Sequence, residues 1–212
     1  MEPMDPMDPM DPMTATDPMT PAEMERGFAA ELTPGTVVSV LLEQHAKIRD
    51  LFAQTAESRG PARAAAFDEL RELLAVHEAG EEIVVRPVTK ELMDGKVADN
   101  RNAEEKAAAG VLAQLEHLDV DSPEFTEKLT VFEQNVSAHA LREESEEFPF
   151  LLTDVAQDKQ LAMGTRLLRV QRAAPTHPHP ATAGSPKAQV LVGPFAAMFD
   201  RARDAFAHDG GA

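Results

Sequence analysis

Four stretches of this chain repeat apolar residues at three- and four-residue spacing, the period of a helix with one buried face. From Thr36 to about Glu57 the stripe is Val37, Val38, Leu41, Leu42, Ile48, Leu51 and Phe52. Gly60-Pro61 interrupts it, and a second helix is predicted over roughly Ala62 to Glu91 through Phe67, Leu70, Leu73, Leu74, Ile83, Val84 and Val88. Pro87 falls inside that pattern and predicts a kink rather than an end. Asp94 to Asn102 reads as a polar turn, followed by a third helix from about Ala103 to Leu118 with Ala108, Val111, Leu112, Leu115 and Leu118 on one side. Asp121-Ser122-Pro123-Glu124 is a helix start, with a capping serine, a proline in the first turn and an acidic residue suited to the dipole. Phe125, Leu129, Phe132 and Val136 continue that fourth helix. Four amphipathic helices with short connections predict an all-α, up-down four-helix bundle over residues 34–156.

The flanks read differently. Residues 1–33 open on MEPMDPMDPMDPM, where proline at every third position forbids helix and too little apolar surface offsets the ordering entropy, so a disordered tail is expected. Residues 157–212 form a C-terminal extension: a short helix over Asp158–Gln171, a Pro-rich strap over 174–186, and a last amphipathic segment from Phe195 to Phe206. His177 and His179 fall in the strap and read as polar linker residues.

Certain polar residues break the apolar stripes from within. His45 stands four residues after Leu41 and three before Ile48, His77 four after Leu73, and Glu81 three before Val84. The fourth helix leads from Val136 into His139 and Glu143. Burying an imidazole or a carboxylate without a partner costs several kcal/mol, so something must satisfy these groups. HEAGEEIVVRP (77–87) and HALREESEEFP (139–149) are one pattern written twice: a histidine, carboxylates four and five residues on, and a proline ten residues on. Positions i and i+4 share a helix face, so each repeat aims an imidazole and a carboxylate at one centre. Glu104 or Glu105 lies near the inner face at the start of the third helix, where a dipole role and a ligand role compete. Such a set, drawn from all four helices, is how bundles hold a pair of metal ions.

Composition narrows the chemistry. With 20 Lys+Arg against 37 Asp+Glu the chain carries a formal charge of −17, which disfavours phosphate backbones and anionic membrane surfaces as partners. There is no cysteine, so a metal must be held by histidine and carboxylate, a donor set that suits iron best and admits manganese or zinc. No run of apolar residues is long enough to span a bilayer and no secretion signal opens the chain, so a soluble, cytoplasmic protein is expected. Oligomeric state is not encoded in any of these patterns.

Together, LLEQHAKIRDLF, HEAGEEIVVRP and HALREESEEFP resemble the histidine segment and the two HxxxE helices of hemerythrin-like, HHE cation-binding domains, over residues 36–153. The resemblance implies a four-helix bundle with two non-haem irons: His45 and His77 on one, His139 on the other, Glu81 and Glu143 bridging. Glu78 matches an acidic ligand of some members. On the third helix the family usually supplies a histidine in a segment like EEH, whereas this chain has Glu104-Glu105-Lys106. Lys106 cannot ligate while protonated, so Glu105, Glu104 or Glu78 is left to complete the ligand shell of the second ion. That implies a weaker hold on the second ion and oxygen chemistry unlike simple reversible carriage. Three functions follow: binding or sensing O2, peroxide or NO; a di-iron oxidoreductase consuming peroxide or NO; or a metal-free helical module that docks a protein partner. No catalytic residue is assigned.

Overall fold

The computed structural model describes residues 18–93, 95–173, 200–204 and 206, apart from the side chains of 95–99, 102, 103, 105, 106, 170 and 173. The helices in order are α1 (Pro21–Glu31), α2 (Val37–Glu57), α3 (Gly60–Gly80), α4 (Arg86–Leu92), α5 (Gly95–Leu115), α6 (Pro123–Arg142), α7 (Phe148–Asp154) and α8 (Gln157–Ala173). A π-helical turn over Glu81–Val85 joins α3 to α4, and another over Glu143–Glu147 joins α6 to α7. No strand occurs among the described residues. α2 packs on α3 and α6, α4 on α5, and α5 on α6, closing the ring of an up-down bundle.

Both π turns explain a proline. Inside a continuous α-helix, Pro87 and Pro149 would each remove a hydrogen bond and clash with the carbonyl four residues earlier. The widened turn resets the ladder, so that each proline enters the first turn of a new helix, where its missing N–H is not needed. The kink expected at Pro87 is thus a one-turn change of helix type. It also turns consecutive residues inward: Val84, Val85 and Arg86 are all buried.

Two expectations need correction. Within the stretch 1–33, expected to be disordered, residues 21–31 form α1, and residues 1–17 lie outside the described residues. Thr20 caps the helix, its side chain accepting from the Glu23 N–H while Glu23 accepts from the Thr20 N–H, and Ala22, Glu25 and Ala29 are its buried residues. The polar turn expected over 94–102 is mostly helix, since α5 begins at Gly95; charged and polar residues there kept the apolar period from showing. Ser122 caps α6 as expected, its hydroxyl accepting from the Phe125 N–H at 3.1 Å. The strap over 174–186 and residues 195–199 of the last segment lie outside the described residues, while Phe206 is fully buried.

The core is split by a polar layer. Toward one end lie Ile48, Leu51, Phe52, Phe67, Leu70, Phe125 and Phe132, with edge-to-face aromatic pairs at 5.4 Å (Phe52–Phe132) and 5.0 Å (Phe67–Phe125). Toward the other lie Val37, Leu41, Val84, Phe148, Leu151, Leu167 and Phe206, where α8 and the buried Ala202 and Phe206 cover the bundle. Each fully buried side chain of this size contributes about 2–3 kcal/mol of hydrophobic stabilisation. Gln44, His45, His77, Glu81, His139 and Glu143 occupy the layer between.

Candidate metal centre

Each histidine enters this layer with one ring nitrogen already engaged. His45 Nδ1 lies 2.7 Å from Glu144 Oε1, His77 Nδ1 lies 3.0 Å from Gln44 Oε1, and His139 Nδ1 lies 3.0 Å from Glu104 Oε2. In each case an oxygen accepts from Nδ1–H, which fixes the ring and leaves Nε2 facing inward. Phe148 stacks on His45 at 5.7 Å and holds the ring from the side.

The inward atoms converge. One donor atom from each of His45, His77, Glu81 and Glu143 lies within 4.8 Å of the others, and the same holds for Glu78, Glu81 and His139. Glu81 belongs to both groups. Glu143 also faces both, with Oε2 3.5 Å from His45 Nε2 and Oε1 3.0 Å from His139 Nε2. His45 Nε2, His139 Nε2, Glu81 Oε2 and both Glu143 oxygens are buried without a hydrogen bond of normal geometry among the described residues. Such groups are costly unless something else satisfies them, and two nitrogens with shared carboxylate oxygens and no sulfur form a donor set for a hard or borderline divalent cation. The residues present therefore fit a bound metal. A third grouping, Glu25, His45 and Glu144, uses the outer His45 nitrogen; Glu25 there accepts from Arg49 Nε at 2.5 Å, so it serves as outer support.

The electrostatics of the layer show what a cation would replace. Burial alone would lower the His45 and His139 pKa values, but the Glu143 and Glu144 carboxylates hold His45 up at about 9, and Glu143 with Glu78 and Glu104 holds His139 up at about 10. Burial, reinforced by the charge on His45, pushes His77 down to about 3. Burial and the neighbouring Glu143 raise Glu81 well above the usual carboxylate range, whereas Glu143 is held well below it because His139 and His45 outweigh its burial. At neutral pH the metal-free layer thus keeps protons on His45 and His139, both of which a metal must displace. Since the displaced groups titrate above neutrality, affinity is expected to rise as pH rises from 6 toward 9. Calorimetric titration with Zn2+ in two buffers of different ionisation heat should show proton release; identical heats in both would refute it.

The structure brings His45, His77, Glu78, Glu81, His139 and Glu143 together, while the Glu105 side chain lies outside the described residues. Glu104 is half-exposed and serves the far side of His139, also accepting from Arg142 Nη2 at 3.0 Å and Arg101 Nη1 at 3.1 Å. The sequence reading missed Gln44 and Glu144, which orient His77 and His45, and the buried chain of Arg86, Glu147 and Arg101 behind Glu81 and Glu143. A sign of that chain was present in the second repeat, where Glu147 falls on the inner face four residues after Glu143. A narrow cavity with room for roughly one water-sized molecule lies against the three histidines and Glu78, walled by Ile48, Phe52, Val136 and Ala140. Arg49, whose Nη1 donates to Ser137 Oγ at 2.8 Å, stands on its lining. Among the described residues no helix is long and apolar enough to cross a membrane.

A bundle that turns three imidazoles and two shared carboxylates into one buried layer is a metal-binding bundle. The chain belongs to the hemerythrin HHE cation-binding domain family, whose sequence model matches residues 36–151. It is 29% identical over 134 residues to an uncharacterized hemerythrin-like protein of Schizosaccharomyces pombe, covering 62% of this chain and 66% of that relative, so just under two thirds of the relative's length is matched. Its fold is similar to the crystal structure of a hemerythrin HHE cation-binding domain-containing protein of Mycobacterium kansasii, with a TM-score of 0.61 at 20% identity over 79% of this chain and 98% of that one.

Proposed function

We propose that this protein holds two irons and binds or senses O2, peroxide or NO at them. The observation that carries this reading is the placement of Glu81 and Glu143 between two sets of donors, His45 with His77 on one side and Glu78 with His139 on the other. His45, His77 and His139 would supply nitrogen, Glu81 and Glu143 would span both ions, and Glu78 would complete the second. Bound iron supplies the redox chemistry and an exchangeable position. The chain's own part is to hold the donors in fixed positions and to restrict access. The cavity beside the histidines has room for small molecules only, and the apolar wall of Ile48, Phe52, Val136 and Ala140 favours uncharged diatomics and peroxide over larger polar metabolites. The same geometry serves a peroxide- or NO-consuming oxidoreductase, which consumption of either by the iron-loaded protein would distinguish. With no cysteine to form disulfides, the cytoplasm is the compartment we assign.

Metal analysis of the purified chain with its visible spectrum, in air and after peroxide, tests the reading. About two irons per chain with oxygen-to-iron charge-transfer absorption is the expected result. A chain that takes up no iron sinks it and leaves the partner-docking module.

A further inference from the structure

The two repeats differ at two adjacent buried positions, Val85 and Arg86 in the first against Glu147 and Phe148 in the second. Nine residues after its histidine the second repeat has Phe148, stacked on His45 of α2, whereas the first has Arg86. Arg86 is 3% exposed, and its Nη2 lies 3.6 Å from Glu81 Oε2 and 3.5 Å from Glu143 Oε1. Its Nη1 donates to both oxygens of Glu147 at 3.0 Å. Glu147, 2% exposed, also accepts from Arg101 Nε of α5 at 3.2 Å. A guanidinium buried against a metal layer is expensive to place, because it repels the cations the layer would hold. Packing alone would be served by an aromatic side chain, as the other repeat shows.

We propose that Arg86 is a positioning residue for the metal pair: a fixed cation that orients the two shared carboxylates and raises the reduction potential of the ions between them. The inference rests on the reading of the layer as an iron centre. Arg86 Nη2 faces one oxygen of each shared carboxylate while Nη1 is held by Glu147, so a single positive charge is set against both carboxylates from one side. Glu147 holds the guanidinium and offsets part of its charge, and Arg101 ties Glu147 to α5. The helix that lacks the family's histidine is thereby connected to the centre through charge. A positive charge near the ions stabilises the reduced, less positive state and weakens the hold on any divalent cation.

The test is a redox titration of the iron-loaded full chain beside R86M, R86K and E147Q, with Zn2+ affinity measured on the same four proteins. The midpoint potential should fall in R86M, rise in E147Q and stay near the parent in R86K. Zn2+ should bind roughly tenfold tighter in R86M and roughly tenfold weaker in E147Q. Opposed shifts are the signature of charge, because a merely structural role would move both variants the same way. Unchanged potentials in R86M and E147Q, or shifts of one sign, would overturn the proposal. If R86M holds no iron, E147Q decides, with a raised potential supporting the role and an unchanged one rejecting it. A parent chain without iron defeats the iron reading alone, and the Zn2+ affinities then judge Arg86 by the same opposed signs.

Discussion

Replacing both Glu81 and Glu143 by alanine is expected to bring bound iron from about two per chain to background. The two carboxylates face both donor groups, so their loss removes the elements common to the two ions, leaving His45 with His77 and Glu78 with His139 as separate, two-donor remnants. Even supporting residues around metal ligands change affinity by about 10–100-fold, and loss of shared ligands should exceed that. The double glutamine variant is the control for folding, since it keeps shape and hydrogen-bonding capacity beside Arg86 while removing the charges. Iron content by elemental analysis is the measurement, and an undiminished value in the folded alanine variant would rule out the bridging assignment. Single variants are expected to fall between, with Glu143→Ala the more damaging because His45 and His139 both face its oxygens.

The largest stability effect expected from a single added methyl is at Gly164. A Cβ there would collide with the Gly35 carbonyl oxygen and the Thr36 backbone, and neither can rotate away as a side chain tip could. Gly35 itself sits at φ 81°, in the left-handed region, where it turns the chain from α1 into α2. Gly164→Ala should therefore push α8 off the start of α2, destabilising the fold by about 2–3 kcal/mol and lowering the midpoint of thermal unfolding by roughly 5–10 °C. Gly80→Ala should cost less, because its nearest obstacles are the Leu167 and Phe206 side chains, which can shift. Calorimetric unfolding of both variants checks the order, and a Gly164→Ala protein as stable as the parent would show that α8 docks loosely.

Much of this arrangement was legible in the sequence because it rests on periodicity. The stripe from Val37 to Phe52 located α2, Ser122-Pro123 located the start of α6, and the twofold HxxxE pattern located the metal layer, since polar residues on an apolar stripe demand partners. What stayed hidden depends on tertiary pairing or on local geometry. Arg86 and Arg101 carry no signal in the apolar period, and their burial with Glu147 is seen only in the fold. The sequence left Glu104 and Glu105 as alternatives near the inner face, and only the fold shows that Glu104 serves the outer nitrogen of His139. The Thr20–Glu23 capping box was readable in principle, yet the neighbouring Met-Asp-Pro repeats dominated that stretch. The π turns could not be inferred from spacing, because the four-residue step from histidine to glutamate ends where each turn begins.

Those turns make the two halves of the bundle interdependent in phase. A π turn takes up about one residue more than the α turn it replaces, so it rotates every later side chain by roughly 100° relative to an unbroken helix. Straightening Glu81–Val85 into α-helix without shortening the chain would swing Arg86 and the rest of α4 away from the centre and leave Pro87 in a helix interior, whereas deleting one residue as well would return Arg86 to its present phase. The same straightening of Glu143–Glu147 would carry Phe148 off His45. The helix type at these two places therefore sets which later residues face the layer, even though residues such as Glu82 and Ser145 are themselves exposed.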